Sequence, residues 1–301
     1  MKRHFRYARG AAVMLALGLS GCGGGGSSSV ISDRSFTAWS DIDPPRSIVV
    51  EGISTERTYT APAPGFKVTD LGPAEQSTTT TATLTYNSNG NLTKIVLTTP
   101  YSSVTWDEAR DDLIVEDTGV IGLASEVEAS RGLIADAIEL GWDFQTFGTW
   151  ATGFGTGAGR TGAFSIGART LGRNIPTDDT ATFEGLTRGR YIDDAGQAYS
   201  TESALSVDVD FRDRTLDFST RDTEKINLDT AFTSAAGNLD LTGTLTYQLG
   251  VNSFSGAVNA TGLSGTAKGR FYGPNAEELG GYFDLHGAGV ETYIGGFGAG
   301  Q

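Results

Sequence analysis

An all-β chain is predicted, a small β-rich handle-like domain followed by a soluble eight-stranded antiparallel β-barrel, and three observations predict it. Apolar and polar residues alternate with a period of two: in LDLTGTLTYQL at 239–249, Leu239, Leu241, Gly243, Leu245, Tyr247 and Leu249 share one face, and Asp240, Thr242, Thr244, Thr246 and Gln248 the other. Glycine supplies 42 of 301 residues, about twice the usual share, so tight turns and close backbone approach are widely available. Turn residues recur between the runs at the spacing of many short strands.

Taken in order, residues 1–21 place Lys2, Arg3, Arg6 and Arg9 ahead of an apolar run from Ala11 to Leu19. That run is too short to span a bilayer and has the layout of an export signal. It ends in Leu19-Ser20-Gly21-Cys22, which resembles the lipobox of bacterial lipoproteins. The resemblance implies cleavage before Cys22 and lipidation of Cys22, with the lipid bilayer as a partner; Gly23, where an Asp would signal retention, fits sorting to the outer membrane. Cys22 is the single cysteine of the chain, so no intrachain disulfide can form. Acyl chains bury roughly 0.8 kcal/mol per methylene, and several of them, palmitate included, hold a protein on a membrane durably. Residues 22–35 then read as the lipidated Cys followed by a Gly/Ser tether with nothing to build a core. Losing residues 1–21 removes four positive charges and no negative ones, so a net charge of −14 becomes −18. Such acidity argues against nucleic acid as a partner.

Residues 36–148 form the first domain. Strands are predicted at 46–53, 81–87 and 92–98, the last two joined by a turn at Asn87-Ser88-Asn89-Gly90-Asn91. Periodicity leaves EVEASRGLIADAIEL at 126–140 open between a short helix and an irregular strand. Residues 149–301 form the barrel domain, with strands at 163–169, 180–185, 188–192, 204–211, 215–220, 239–249, 253–260, 265–272, 280–286 and 291–297. These suffice to close a barrel of about eight strands, which removes exposed sheet edges. A membrane-spanning barrel needs an apolar outer band, whereas one face of each clear strand carries Thr, Ser, Asp, Lys or Arg.

The inventory for chemistry is thin. Gly157-Ala158-Gly159-Arg160-Thr161-Gly162 matches G-x-G-x-x-G, but the residues after it alternate as a strand where a dinucleotide fingerprint needs a helix, so it reads as an interdomain connector. His286 is the one histidine outside the export signal, and alternation turns it outward with Tyr282 and Asp284. Neither a multi-histidine metal site nor a Cys/His pair can be assembled from that set. Asp208, Asp210, Asp213 and Asp217 lack the glycine and distal glutamate of a calcium loop and read as a solvated strand face. No catalytic residue, metal ligand or cofactor is expected, and the chain is not read as an enzyme.

In GRFYGPNAEELGG at 269–281, Gly273-Pro274 ends a strand because proline cannot donate to the ladder. Asn275 is placed to cap one helical turn, AEEL, and Gly280-Gly281 supplies unusual angles or close approach for the returning strand. This stretch, with YIGGFGA at 293–299, PTDDTATFEGLTRGRY at 176–191 and WDFQTFGTW at 142–150, closely resembles transferrin-binding protein B and related surface lipoproteins, including factor H-binding and haem- or haemoglobin-binding relatives. The resemblance covers about the last 160 residues well, with WDFQTFGTW as the strand entering the barrel, and the first domain by position, as a handle. It implies a lipid-anchored outer-membrane protein, on the cell surface, whose loops meet a macromolecular or iron- or haem-containing ligand beside an outer-membrane receptor. An adhesion or immune-evasion role, and a periplasm-facing structural role, remain alternatives. The chain has one handle-plus-barrel lobe where transferrin-binding protein B has two, and no ligand-binding residue is carried over, because the family's contacts lie in variable loops.

Overall fold

Strand pairing sorts the chain into two antiparallel sheets in a computed structural model that describes residues 36–63 and 67–301. Cys22 and the tether, on which the lipidation expectation rests, lie outside the described residues. The first sheet comprises β1 (Arg46–Thr60), β2 (Asp70–Leu71), β3 (Glu75–Tyr86), β4 (Leu92–Thr98), β5 (Ser103–Asp107), β6 (Leu113–Asp117), β7 (Val120–Ser125), β8 (Ser130–Ala135), β9 (Gln145–Ala151) and β10 (Ala158–Gly167). Its order is β5-β4-β3-β1-β10-β9-β8-β7-β6, with β2 also on β1. The sheet curls around an apolar core that includes Val50, Leu84, Ile95, Trp106, Phe147 and Trp150. Trp106 of β5 reaches across to lie 3.2 Å from where a side chain at Gly132 of β8 would begin.

The second sheet comprises β11 (Thr180–Ile192), β12 (Ala198–Asp210), β13 (Thr215–Asn227), β14 (Thr233–Ala235), β15 (Thr242–Tyr247), β16 (Phe254–Ala260), β17 (Leu263–Tyr272), β18 (Glu278–His286) and β19 (Thr292–Gly300). It runs β12-β11-β19-β18-β17-β16-β15-β13, and β12 pairs with β13, which closes an eight-stranded barrel; β14 is an outlying ribbon on β13. The alternation read from the sequence is the reason for closure. Leu205, Val207, Val209, Leu216, Phe218 and Leu245 all point into one dry interior. Phe271 sits at its middle, with the rings of Phe254, Tyr247, Phe211 and Phe183 centred 5.3–6.3 Å away.

Several expectations shift. The divide between sheets falls after Gly167, so β9 and β10, assigned by sequence to a barrel starting at 149, belong to the first sheet. Alternation reports which face of a strand is buried, not which neighbour it pairs with, and β10 takes β1 as partner over Gly52–Thr60. The connector read at 157–162 is therefore largely strand. Residues 126–140 hold a turn and β8, not a helix. The segments 180–185 and 188–192 are one strand. The turn at Gly273–Ala276 contains no helix: Asn275 N and Nδ2 donate to the Glu277 carboxylate at 2.8 and 3.0 Å, so glutamate organises a turn whose left-handed residues are Gly273 and Ala276.

The handle packs on the outer face of β18 and β19, and glycine makes this possible. A Cβ at Gly296 would lie 2.7 Å from the Phe147 ring, and one at Gly298 2.5 Å from Gln145 Nε2. Gly280 likewise leaves room for Gln145 Oε1 and Ser165 Oγ, each 2.8 Å from the missing Cβ. Close approach, not unusual angles, is what Gly280-Gly281 provides. Glu278, almost wholly buried, accepts the N–H groups of Asp143, Phe144 and Gln145 at 2.6, 3.1 and 3.0 Å. Burial pushes its carboxyl up to about 7 against the pull of these three donors.

Gly298→Val is expected to lower unfolding stability by about 1–3 kcal/mol, the usual cost of overpacking, read by urea denaturation; an unchanged midpoint would mean the two sheets do not meet there. The raised Glu278 pKa gives a signed pH effect. The folded state holds the proton more tightly than the unfolded chain, so the contribution is full below about pH 4.5 and is lost as pH rises to about 7. The stability of the parent relative to Glu278→Gln should fall across that window by on the order of 3 kcal/mol; a rise would show that the N–H donors outweigh burial.

Candidate functional site

Antiparallel pairing brings the loops of both domains to one end of the molecule. From the handle come the residues after β1, the β4–β5 turn at 99–102, the β7–β8 turn at 126–129 and the β9–β10 loop at 152–157; from the barrel come 193–197, 228–232, 261–262 and 287–291. The two sets are joined directly. Val68 N donates to Gly196 O at 2.9 Å, and Val68 packs with Tyr59, Ala61 and the barrel's Ile192. Gly196 has φ of 80°, and a Cβ there would strike the Val68 carbonyl, so this contact needs glycine on both counts.

This end carries large exposed apolar side chains from both domains. Val127 is 75% and Phe232 70% exposed, with Tyr101, Phe154 and Leu228 partly so. Arg160 stacks over Tyr101 at 5.9 Å and Arg131 over Phe154 at 5.4 Å. Lys225 lies 4.5 Å over Tyr199 beside the barrel mouth. There Tyr191 Oη donates to Glu291 at 2.7 Å, and burial followed by that carboxylate drives the phenol pKa upward. Aromatic and arginine side chains on adjoining loops are what protein-binding surfaces are enriched in.

Rigid polar contacts hold the loops in place. Glu56, fully buried, accepts from Arg160 Nε at 2.7 Å and Ser102 Oγ at 2.9 Å, and also from Thr99 Oγ1. That ties the 99–102 turn to β1 and β10. Across the seam, Arg57 Nη2 and Nε donate to Asp284 Oδ1 at 2.9 and 3.1 Å, while Arg57 Nη1 donates to Gly72 O at 3.0 Å. One guanidinium thus links barrel strand β18 to the handle segment that carries Val68.

His286 is exposed as expected, and its Nδ1 lies 2.9 Å from Arg57 Nη2. Its outward neighbours Tyr282 and Asp284 are buried instead, because the handle covers that face. Asp208 and Asp217 are direct cross-strand neighbours on the outer barrel wall, bonded to Thr182 and Thr244, while Asp210 caps the turn N–H of Asp213. Among the described residues no group of three or more His, Cys, Asp or Glu is placed to hold a metal ion. The loop residues were not foreseen from sequence, where exposed Val127 or Phe232 looks like any other apolar residue; only the assembly of two domains brings them to one face.

Residues 175–301 match the family described as C-lobe and N-lobe beta barrels of Tf-binding protein B, so the barrel is of the transferrin-binding protein B type. Transferrin-binding protein B of Haemophilus influenzae is 33% identical over 139 residues, covering 41% of this chain. The match spans only 22% of that relative's length. Among solved structures, isotype 1 transferrin binding protein B from serogroup B Neisseria meningitidis is 17% identical with a TM-score of 0.45, covering 75% of this chain and 52% of that one. HpuA from Kingella denitrificans, solved in complex with human haemoglobin, is 15% identical with a TM-score of 0.42, covering 89% and 91%.

Removing one side of the buried seam pair leaves an uncompensated charge, which typically costs about 3–5 kcal/mol. Asp284→Ala is expected to lose stability on that scale by urea denaturation, and the paired change Arg57→Met with Asp284→Leu to recover most of it. A loss below about 1 kcal/mol for the single change would mean the pair is solvated.

Proposed function

We propose that this chain, whose barrel is of the transferrin-binding protein B type, is an outer-membrane lipoprotein, anchored through Cys22 and displayed on the cell surface, that captures an iron-carrying protein on its composite loop face. The observation that carries the reading is the place of Phe36 and Trp39 in the fold. The rings of Phe36 and Trp39 lie 4.3 Å apart, Trp39 N donates to Asp143 O, and Asp143 N donates to Glu278. Phe36 therefore packs at the end opposite Val127, Phe154 and Phe232. A membrane anchor upstream of it holds the loop face away from the bilayer, free to meet a large partner. The thin catalytic inventory and the name of the Haemophilus influenzae relative both favour capture over catalysis. With one lobe matched out of a longer relative, the ligand itself is assigned by class only.

Protease shaving of intact cells should remove the protein, and affinity capture with host serum or haemolysate should retain an iron-carrying protein. Val127→Asp combined with Phe232→Asp should weaken that capture about tenfold or more, as for loss of central contact residues, with an unchanged melting temperature. Protection from shaving would place the protein on the periplasmic face. Capture of host surface proteins, with normal growth under iron limitation, would favour adhesion.

A further inference from the structure

The two arginines of β11 that face the handle are treated very differently from Arg57. Residues 186, 188, 190 and 192 share the outer face of β11, and Leu186 and Ile192 lie in apolar clusters with handle residues. Arg188 and Arg190 therefore lie between them, on the face of β11 that meets the handle. Arg188 Nη1 reaches Glu202 at 2.7 Å, but its Nε is buried without a partner. Arg190 makes no ion pair or side-chain hydrogen bond with any described residue, and its Nε is also buried without a partner. Its guanidinium lies over the Tyr59 ring at 5.4 Å. Tyr59 cannot neutralise it, because its hydroxyl donates to Thr152 O at 2.6 Å. On the other side of the same seam Arg57 has Asp284, Gly72 O and His286, so the seam holds one saturated guanidinium and one open one.

A buried cation without a counter-charge is retained at a cost in stability, and burial lowers the pKa of both β11 arginines. The planar fork of a guanidinium matches two oxygens of a carboxylate or phosphate, with two parallel N–H donors. Arg190 keeps partial exposure as a residue, and its two Nη atoms are not among the buried unpartnered nitrogens, which leaves them as the accessible donors. We propose that Arg190, backed by Tyr59 and flanked by Arg188, is a binding site for a small oxyanion, a carboxylate or phosphate group, where β11 meets the handle. The site is distinct from the loop face, and occupancy would couple the two domains by giving Arg190 the acceptor that Asp284 gives Arg57.

The test is calorimetric titration of the full chain with inorganic phosphate and, separately, with acetate, at constant pH and ionic strength set with chloride, alongside thermal unfolding in each anion. A saturable one-site isotherm and a rise in melting temperature above the chloride control are expected; response to phosphate alone assigns a phosphate group, and response to acetate as well assigns a carboxylate. Arg190→Met should melt no lower than the parent in chloride and weaken binding by about tenfold or more, while Arg190→Lys keeps the charge but loses the fork and binds more weakly than the parent. Arg212→Gln, which removes an exposed surface guanidinium, should respond as the parent does. Absence of any response beyond chloride, or an undiminished response in both Arg190 variants, would overturn the site.

Discussion

The close contact of two β-sheets along one glycine-rich hairpin is the constraint on which the rest of the structure depends. Sheets packed through ordinary side chains sit about 10 Å apart, and the space between them is filled by both inner faces. Here β18 and β19 are asked to do two things at once. Their inner face holds Phe283, Tyr293 and Phe297 in the barrel core, while their outer face must receive β9 and β10 of the handle. Gly280, Gly296 and Gly298 solve the second problem, since any side chain there would meet Gln145, Ser165 or Phe147. Gly281 solves the first, leaving space for the Phe297 ring. A residue pattern that looks like weak strand sequence is thus dictated by packing on both sides.

What such a seam gains in contact it risks in trapped polarity, because backbone and side-chain groups caught between sheets lose water. The molecule answers unevenly. Glu278 is paired with three N–H donors from the start of β9, and Arg57 with Asp284. Ser165 and Tyr272 bond to one another at 2.9 Å. Gln145, by contrast, is fully buried with neither amide atom partnered, and Arg190 has no acceptor among the described residues. Glu278 and Asp284 tie β18 to the handle near its two ends. The unsatisfied arginine sits on the β11 side.

Much of the barrel was legible in the sequence because period-two alternation is a direct consequence of burying one face. Nearly every strand read after residue 180 is present, with ends displaced by a few residues. What alternation could not report is which sheet a strand joins. β1 runs 15 residues and pairs with both β3 and β10, so the partner of β10 lies 98 to 114 residues upstream, beyond the reach of any local signal. The outward face of β18 was misread for a related reason. Tyr282 and Asp284 look like solvated residues until a second domain covers them, and the Asp284 charge is tolerable there only because Arg57 arrives from the handle. The loop face was illegible for the same cause, since its apolar residues come from segments as far apart as Tyr101 and Phe232 and acquire meaning together.

The same geometry explains how a scaffold of this kind can change ligand without changing fold. Strand registers in the barrel and the glycine seam fix where each loop starts, while Val127, Phe154 and Phe232 are exposed and belong to none of the core clusters. Substitution at those tips alters the chemistry presented to a partner while leaving the interior around Phe271 intact, as expected for loops positioned by a rigid frame. Handle loops and barrel loops also meet at Val68 and Gly196, so neither domain can shift without disturbing the surface the other contributes. Recognition on this face therefore depends on the seam as much as on the residues a ligand would touch, and any force that loosens Arg57 from Asp284 acts on both.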